Sequence, residues 1–272
     1  MKYSIVLSTQ QTKFAAVAFE GGAVENIKLA ARMGYGGVEL AVRDASLVDP
    51  ALLRRAAGDE GLEIPAIGTG QLWGEEGLSL SSEDEHRREE AVSRIHGNID
   101  LAAELDSVVI IGLVRGVRPS RVEREVAEVW MRESLAGLAA YASKRGVRIA
   151  VEAINRYETD FINSAEEALG LIEAVGSSSL GVLLDTFHMN IEEPDLRESI
   201  ARVGNRLFHF HVADSNRWYP GAGHIDFGAT LAALEELGYE GYVSGEYLPR
   251  PDAETSIKRG LEHLKRCEPA LR

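Results

Sequence analysis

The sequence predicts an α/β protein, a single (β/α)8 TIM barrel spanning residues 1–272, on three observations. The chain length of 272 residues is close to the roughly 250 that one such barrel uses. A phrase recurs along the chain: a helical stretch, a Gly or polar stop, a short apolar run, then a polar loop. That phrase supplies eight apolar runs with helical segments between every pair, which favours a parallel sheet closed on itself over an open one.

Taken in order, the runs begin near Tyr3, Gly37, Ile64, Ser107, Val147, Leu180, Leu207 and Tyr242. The phrase is clearest where Ala30–Gly34 precedes Gly37–Val42, and where Ala142–Gly146 precedes Val147–Val151. It returns where Leu171–Gly176 precedes Leu180–Leu184 and where Leu234–Gly238 precedes Tyr242–Ser244. Glycine accepts the left-handed conformation that closes a helix, and each run after it is too short and β-branched to start another. The longest helix is expected over Ser82–Leu105, opened by the capping cluster Ser82-Glu83-Asp84-Glu85.

Lys and Arg total 29 against 43 for Asp and Glu, a net charge of -14 that repels polyanions and argues against a nucleic-acid partner. Cys267 is the sole cysteine, so no intrachain disulfide forms, which fits a reducing cytoplasm. Neither a signal-like start after Met1 nor a run of roughly 18 apolar residues is present, so the expectation is a cytoplasmic protein rather than a secreted or membrane-bound one.

Chemistry concentrates at the ends of the last four runs. Ile149-Ala150-Val151 leads to Glu152, Val182-Leu183-Leu184 to Asp185, Leu207–Phe210 to His211, and Tyr242–Gly245 to Glu246. Parallel strands all point one way, so these four side chains share the C-terminal rim of the barrel, where such folds carry their active sites. One acid after one strand is as often a helix cap or a solvated loop residue. Three acids on one rim would repel one another and raise their own pKa values unless a cation sits between them. Three carboxylates and an imidazole make a mostly hard site for one divalent metal ion, favouring Mn2+, with Mg2+ and Co2+ as alternatives. His209 shares parity with His211 and is expected one layer deeper, as a core residue or a partner behind the ligands. Glu158, His188 and Arg217 follow shortly after three of the ligands and are placed in loops above the metal.

The segments Val151–Glu158, Leu184–Glu193 and His209-Phe210-His211 resemble the ketose 3-epimerase group of the xylose-isomerase-like barrels. That resemblance implies metal binding by Glu152, Asp185, His211 and Glu246, and substrate binding at the carbonyl end by Glu158, His188 and Arg217. The segments Leu40–Asp44, Ala66–Gln71, Ile110–Gly116 and His211–Trp218 are similar to a narrower branch, the 5-keto-L-gluconate epimerases. The likeness runs from Ser4 to the last helix and implies a small-molecule keto-sugar or keto-sugar acid substrate and a homo-oligomer, dimer or tetramer.

The activity so implied is epimerisation next to a ketone, with Glu152 and Glu246 as catalytic bases on opposite faces and the metal stabilising the enediolate. Arg43 and Arg115, just past the second and fourth strands, are expected to bind a terminal carboxylate, which points to a keto-sugar acid of the 5-keto-L-gluconate or D-tagaturonate type. Gln71 is a candidate substrate-binding residue, as a polar contact, and Trp73 and Trp218 are candidates for the apolar wall of the pocket. The alternatives are a 3-epimerase of neutral ketohexoses or an aldose–ketose isomerase on the same site. A DNA-repair endonuclease on the related barrel is opposed by the acidic charge and the single-metal ligand set, and an inactive sugar-binding barrel by the intact glutamate pair.

Overall fold

A computed structural model describes residues 1–269. The barrel strands are β1 (Lys2–Ser8), β2 (Gly37–Ala41), β3 (Ala66–Gly68), β4 (Val108–Ile111), β5 (Ile149–Glu152), β6 (Leu180–Asp185), β7 (Leu207–Val212) and β8 (Tyr242–Gly245). Each pairs in parallel with the next, and β8 returns to β1 from Lys2↔Tyr242 to Ile5↔Gly245, closing the (β/α)8 barrel. A two-residue strand, Phe19–Glu20, extends the sheet beside the top of β1.

All eight strands fall where the apolar runs predict them, but β3, β4 and β5 begin one or two residues late. Ser107 and Val147 spend their amides closing the preceding helices, on Ala102 O at 3.0 Å and Ala142 O at 2.9 Å. Pro65 has no amide to give the ladder. The helix expected from Ser82 starts at Glu85, because Asp84 is its cap: the carboxylate accepts from His86 N at 3.0 Å. The longest helix is Arg124–Arg145, one residue longer than Glu85–Leu105.

Strand parity divides the core in two. Ile5, Leu7, Leu40, Ile67, Val109, Val151, Val182, Phe210 and Val243 point outward into the large layer beneath the helices. Ala66, Val108, Ile110, Ala150 and Leu183 fill the barrel interior, with Val6, Val17 and Ala41 above them beside Phe14. The inward parity that carries Ala150 to Glu152 and Leu183 to Asp185 delivers both acids to the top of the interior.

Arg115 is where the structure corrects the sequence most sharply. It is fully buried, and its guanidinium donates to backbone carbonyls only: Nε and Nη2 to Phe161 O at 3.2 and 3.1 Å, Nη1 to Glu152 O at 2.6 Å and to Gly112 O at 3.3 Å, and Nη2 to Ile162 O at 3.1 Å. Burial lowers its pKa to about 10, so it stays charged at neutral pH. The fork ties the end of β5 to the loop that follows. It also holds Ile162, a β-branched residue in the left-handed region at φ 56°, whose carbonyl accepts from Ile154 N as well, at 3.1 Å. No donor is left for a substrate carboxylate.

Arg115→Met should therefore strip the side-chain donor from two buried carbonyls, Phe161 O and Glu152 O, and cost ~2 kcal/mol or more in urea unfolding, at ~1–3 kcal/mol per stranded group. Any loss of turnover should fall equally on neutral and acidic substrates. A variant as stable as the parent, impaired on acids alone, would restore Arg115 to the substrate pocket.

Candidate active site

Four strand ends meet at one point. Glu152 closes β5, Asp185 closes β6, His211 lies in β7, and Glu246 follows β8 with its amide bound to Val212 O at 3.2 Å. One ligand atom from each lies within 4.8 Å of the others. The Asp185 carboxylate is shared: Oδ1 caps the helix Thr186–Glu192 by accepting from Phe187 N at 2.8 Å, and Oδ2 is free. Glu152 Oε1, Asp185 Oδ2 and His211 Nδ1 are all buried without a hydrogen-bond partner. Three unpartnered ligand atoms converging at one buried point fit a divalent cation, and the donor set of three carboxylates and one imidazole suits a hard one.

The electrostatics agree. Burial, reinforced by neighbouring carboxylates, pushes the Glu152 carboxyl up to about 8; burial likewise pushes Glu246 up to about 7. Asp185 is raised for the same first cause. Burial opposes charging His211, yet Glu39, Glu246 and Glu152 hold its pKa well above 6.5. Gly112 leaves room for this crowd, since a Cβ there would collide with Glu152 Oε2.

Glu39 is the residue that sequence reasoning missed. It lies fully buried inside β2, and both its oxygens sit against His211 Nε2, at 3.1 and 3.0 Å, while Oε2 also meets His209 Nε2 at 2.7 Å. Burial works to raise its pKa, but the two histidines beside it hold it well below the usual range. A carboxylate at Nε2 keeps the proton there and leaves Nδ1 as a lone pair aimed at the cation. The available signal was one charge inside an apolar run, Gly37-Val38-Glu39-Leu40-Ala41. His209 sits behind the ligands, as its parity implies.

Glu158, His188 and Arg217 line the same cavity, as do Glu152, His211 and Glu246. His188 lies in a helix rather than a loop. Its Nδ1 meets Asn155 Nδ2 at 2.7 Å, and Asn155 Oδ1 accepts from Tyr157 N at 2.9 Å, so the amide is oriented and Nδ1 must be an acceptor. Burial, then Arg217, keeps the imidazole neutral, which leaves Nε2–H facing Glu152 Oε1 at 3.7 Å. Asn155 also donates to Glu158 Oε1 at 2.9 Å, so Glu158 reaches His188 through Asn155.

Arg217 donates to Glu158 Oε1 at 2.7 Å and places Nη2 3.6 Å from Glu246 Oε2. Its guanidinium lies over Phe187 and Phe14, 5.0 and 5.8 Å from the ring centroids. A φ of 61° puts this side chain into the cavity, and buried Asp214 maintains that loop by accepting from Ser215 N, Gly221 N and Ile225 N at 2.8, 2.8 and 3.1 Å. Gln71 also lines the cavity, whereas Arg43, Trp73 and Trp218 do not. Arg43 instead places Nε 3.6 Å from Glu76.

Two measurements check this centre. Because the folded, metal-free chain raises Glu152 and Glu246 above an unfolded glutamate's pKa of about 4.3, it binds protons that the unfolded chain releases. Their stabilising contribution is full below about pH 4 and lost as pH climbs through 7 and 8; His211, also raised, acts in the same direction. The metal-free Tm should fall from pH 5 to 8.5, and the increase given by saturating Mn2+ should grow over the same interval as the cation replaces protons. An increase that is largest at pH 5 would contradict this site. Separately, Glu39→Gln should weaken Mn2+ binding about 10- to 100-fold by titration calorimetry, as for loss of a partner that orients a ligating histidine; unchanged affinity would make Glu39 irrelevant to the centre.

The model for the xylose isomerase-like TIM barrel matches residues 27–267. D-psicose 3-epimerase of Agrobacterium fabrum is 30% identical over 251 residues, covering 89% of this chain and 83% of that protein. L-ribulose 3-epimerase of Mesorhizobium japonicum is 32% identical over 215 residues, covering 78% and 71%. The crystal structure of D-allulose 3-epimerase from Methylomonas sp. in complex with D-allulose superposes with a TM-score of 0.82 at 26% identity, covering 98% of this chain and 96% of that one. The chain belongs to the xylose isomerase-like TIM barrel family, with ketose 3-epimerases among its relatives.

Proposed function

We propose that this protein is a divalent-metal-dependent epimerase of a neutral keto sugar, inverting a carbon next to the ketone by removing a proton and returning one from the opposite face. The observation that carries this reading is the pair Glu152 and Glu246. They stand three strands apart on one rim and line one cavity, so that a bound carbon between them can be approached by a carboxylate from either side. A bound divalent ion, with Mn2+ favoured and Mg2+ or Co2+ as alternatives, supplies Lewis acidity that stabilises charge on the ketone oxygen when the neighbouring C–H proton leaves.

The chain's own groups do the rest. One glutamate takes the proton from its face of the substrate and the other delivers a proton from its side. His188 offers a neutral Nε2–H to the carbonyl side, fixed in that tautomer by Asn155. Arg217, held by Glu158, presents its unpartnered Nε to the same end. Phe14, packed on Val6 and Ala41, gives the same cavity an apolar wall.

The substrate follows from what the cavity lacks. The keto-sugar acid expected from the sequence needs a free cation for its carboxylate, and that role was given to Arg43 and Arg115. Neither lines the cavity: one pairs with Glu76, and the other is spent on backbone carbonyls. Arg217 is the one lining arginine among the described residues and is already paired with Glu158. A neutral ketose, the alternative weighed from the sequence, fits better, and the psicose and ribulose in the relatives' names are themselves uncharged.

The test is a panel of ketohexoses, ketopentoses and keto-hexonates incubated with the Mn2+-loaded enzyme. Neutral ketoses should be epimerised with the higher kcat/KM; a preference for keto-acids would overturn the substrate assignment. In D2O the product should carry deuterium at the inverted carbon, whereas complete retention of the original hydrogen would mean hydride transfer. Glu246→Gln should lower kcat at least ~100-fold, the usual scale for removing a general acid or base, and near-normal turnover would show that the base lies elsewhere.

A further inference from the structure

Across the barrel from the ligand-bearing strands, the cavity wall is apolar, built from Val6, Phe14, Ala41, Ile110 and Leu113. Into that wall is set Gln71, just past β3 and 2% exposed. Its two amide atoms are treated differently. Nε2 donates to Ser8 Oγ at 2.8 Å, while Oε1 is buried with no partner at all.

The orientation of this amide is forced. A serine hydroxyl has one proton, and that of Ser8 goes to Gln10 O in a short contact, so toward Gln71 the hydroxyl can only accept. The atom facing it must be the amide nitrogen, and the oxygen is the atom left over. Gln10 is pinned in turn: its Nε2 donates to Asp44 O at 3.0 Å and its Oε1 accepts from the amides of Arg43 and Asp44 at 3.1 and 3.2 Å. The acceptor is therefore held rigidly, through three residues, by the ends of β1 and β2.

We infer that Gln71 is a specificity-determining residue, whose side-chain carbonyl accepts a hydrogen bond from a hydroxyl on the part of the keto sugar remote from the metal centre. The geometry supports the remote end because β3 stands opposite β7 in a closed eight-stranded barrel, so Gln71 faces His211 across the opening. A buried acceptor without a donor is costly, and a substrate hydroxyl relieves that cost. An ionised carboxylate cannot, since it offers only lone pairs to a lone pair. The same atom thus rewards a hydroxyl-bearing chain and rejects a terminal acid. This inference rests on the keto-sugar epimerase reading and adds to it which residue reads the far end of the substrate, and by which proton.

The experiment replaces substrate hydroxyls by fluorine, which occupies similar space and has no proton to donate. With the Mn2+-loaded wild-type enzyme and a ketohexose that it epimerises, kcat/KM is measured for the parent sugar and its 4-, 5- and 6-deoxyfluoro analogues. One position should show a loss of about tenfold or more, mainly in KM. In Gln71→Met, which keeps the length but not the acceptor, the gap at that position should shrink to within about threefold while the gaps at the other positions persist. Where Gln71→Met does not fold, Gln71→Asn, which withdraws the acceptor by one bond, is read in the same way. Equal rates for all fluoro analogues in the wild type, or a gap that survives in the variant, would overturn the assignment while leaving the enzyme an epimerase. No turnover of any ketose would remove the functional reading first, and this inference with it.

Discussion

Crowding of like charge in a dry place is the constraint around which this barrel is organised. Glu152, Asp185 and Glu246 converge with His211 where burial alone already penalises ionisation, and each added carboxylate raises the penalty for the others. Flexible side chains in that situation would turn away from one another toward water. Here three of the four residues are constrained at a second point. Asp185 is held by the helix it caps, His211 by Glu39, and the backbone of Glu152 by Arg115. The fold holds these groups together, and the repulsion is relieved by protons on Glu152 and Glu246 unless a cation takes their place.

The second points of attachment also explain the layering around the centre. Glu39 lies one residue layer inward from the ligands and fixes which nitrogen of His211 carries the proton. Asn155 does the equivalent for His188 on the substrate side, and Asp214 does it for Arg217 by folding a loop rather than by touching the side chain. Each functional group has a partner that removes one of its degrees of freedom. Turnover depends on such preorganisation, because a group already aimed need not reorganise as charge develops.

Much of this was legible in the sequence because it follows from period and direction. Alternating runs give parallel strands, parallel strands share a rim, and residues ending four successive runs must meet, so Glu152, Asp185, His211 and Glu246 could be placed together from their positions alone. Glu39, Asn155 and Asp214 were not given roles, because none stands at a strand end and partners of ligands have no spacing of their own. Arg115 was misread for a related reason. Position put it near the rim, but whether a guanidinium faces a cavity or folds back onto carbonyls depends on the loop after β5, and nothing in the period of the chain encodes that loop's path. Strand starts shifted because an amide can close a helix or open a ladder, and the sequence does not say which it does.

The charge around the cavity bears on the proposed neutral substrate independently of any single arginine. The carboxylates of Glu39, Glu152, Glu158, Asp185 and Glu246 gather there. Against them stand Arg217 and the buried Arg115, to which the proposed reading adds a divalent ion, and together these leave no positive charge to spare. A keto-acid would bring a further negative charge to a wall whose unpartnered Gln71 Oε1 is an acceptor, and would surrender its hydration without compensation there. A neutral polyol gives up its hydration to groups able to replace it: an acceptor at the far end, His188 Nε2–H and Arg217 Nε at the near one. On the proposed reading, the surplus of acids that a cation would offset at the reacting carbon thus also favours an uncharged molecule beside it.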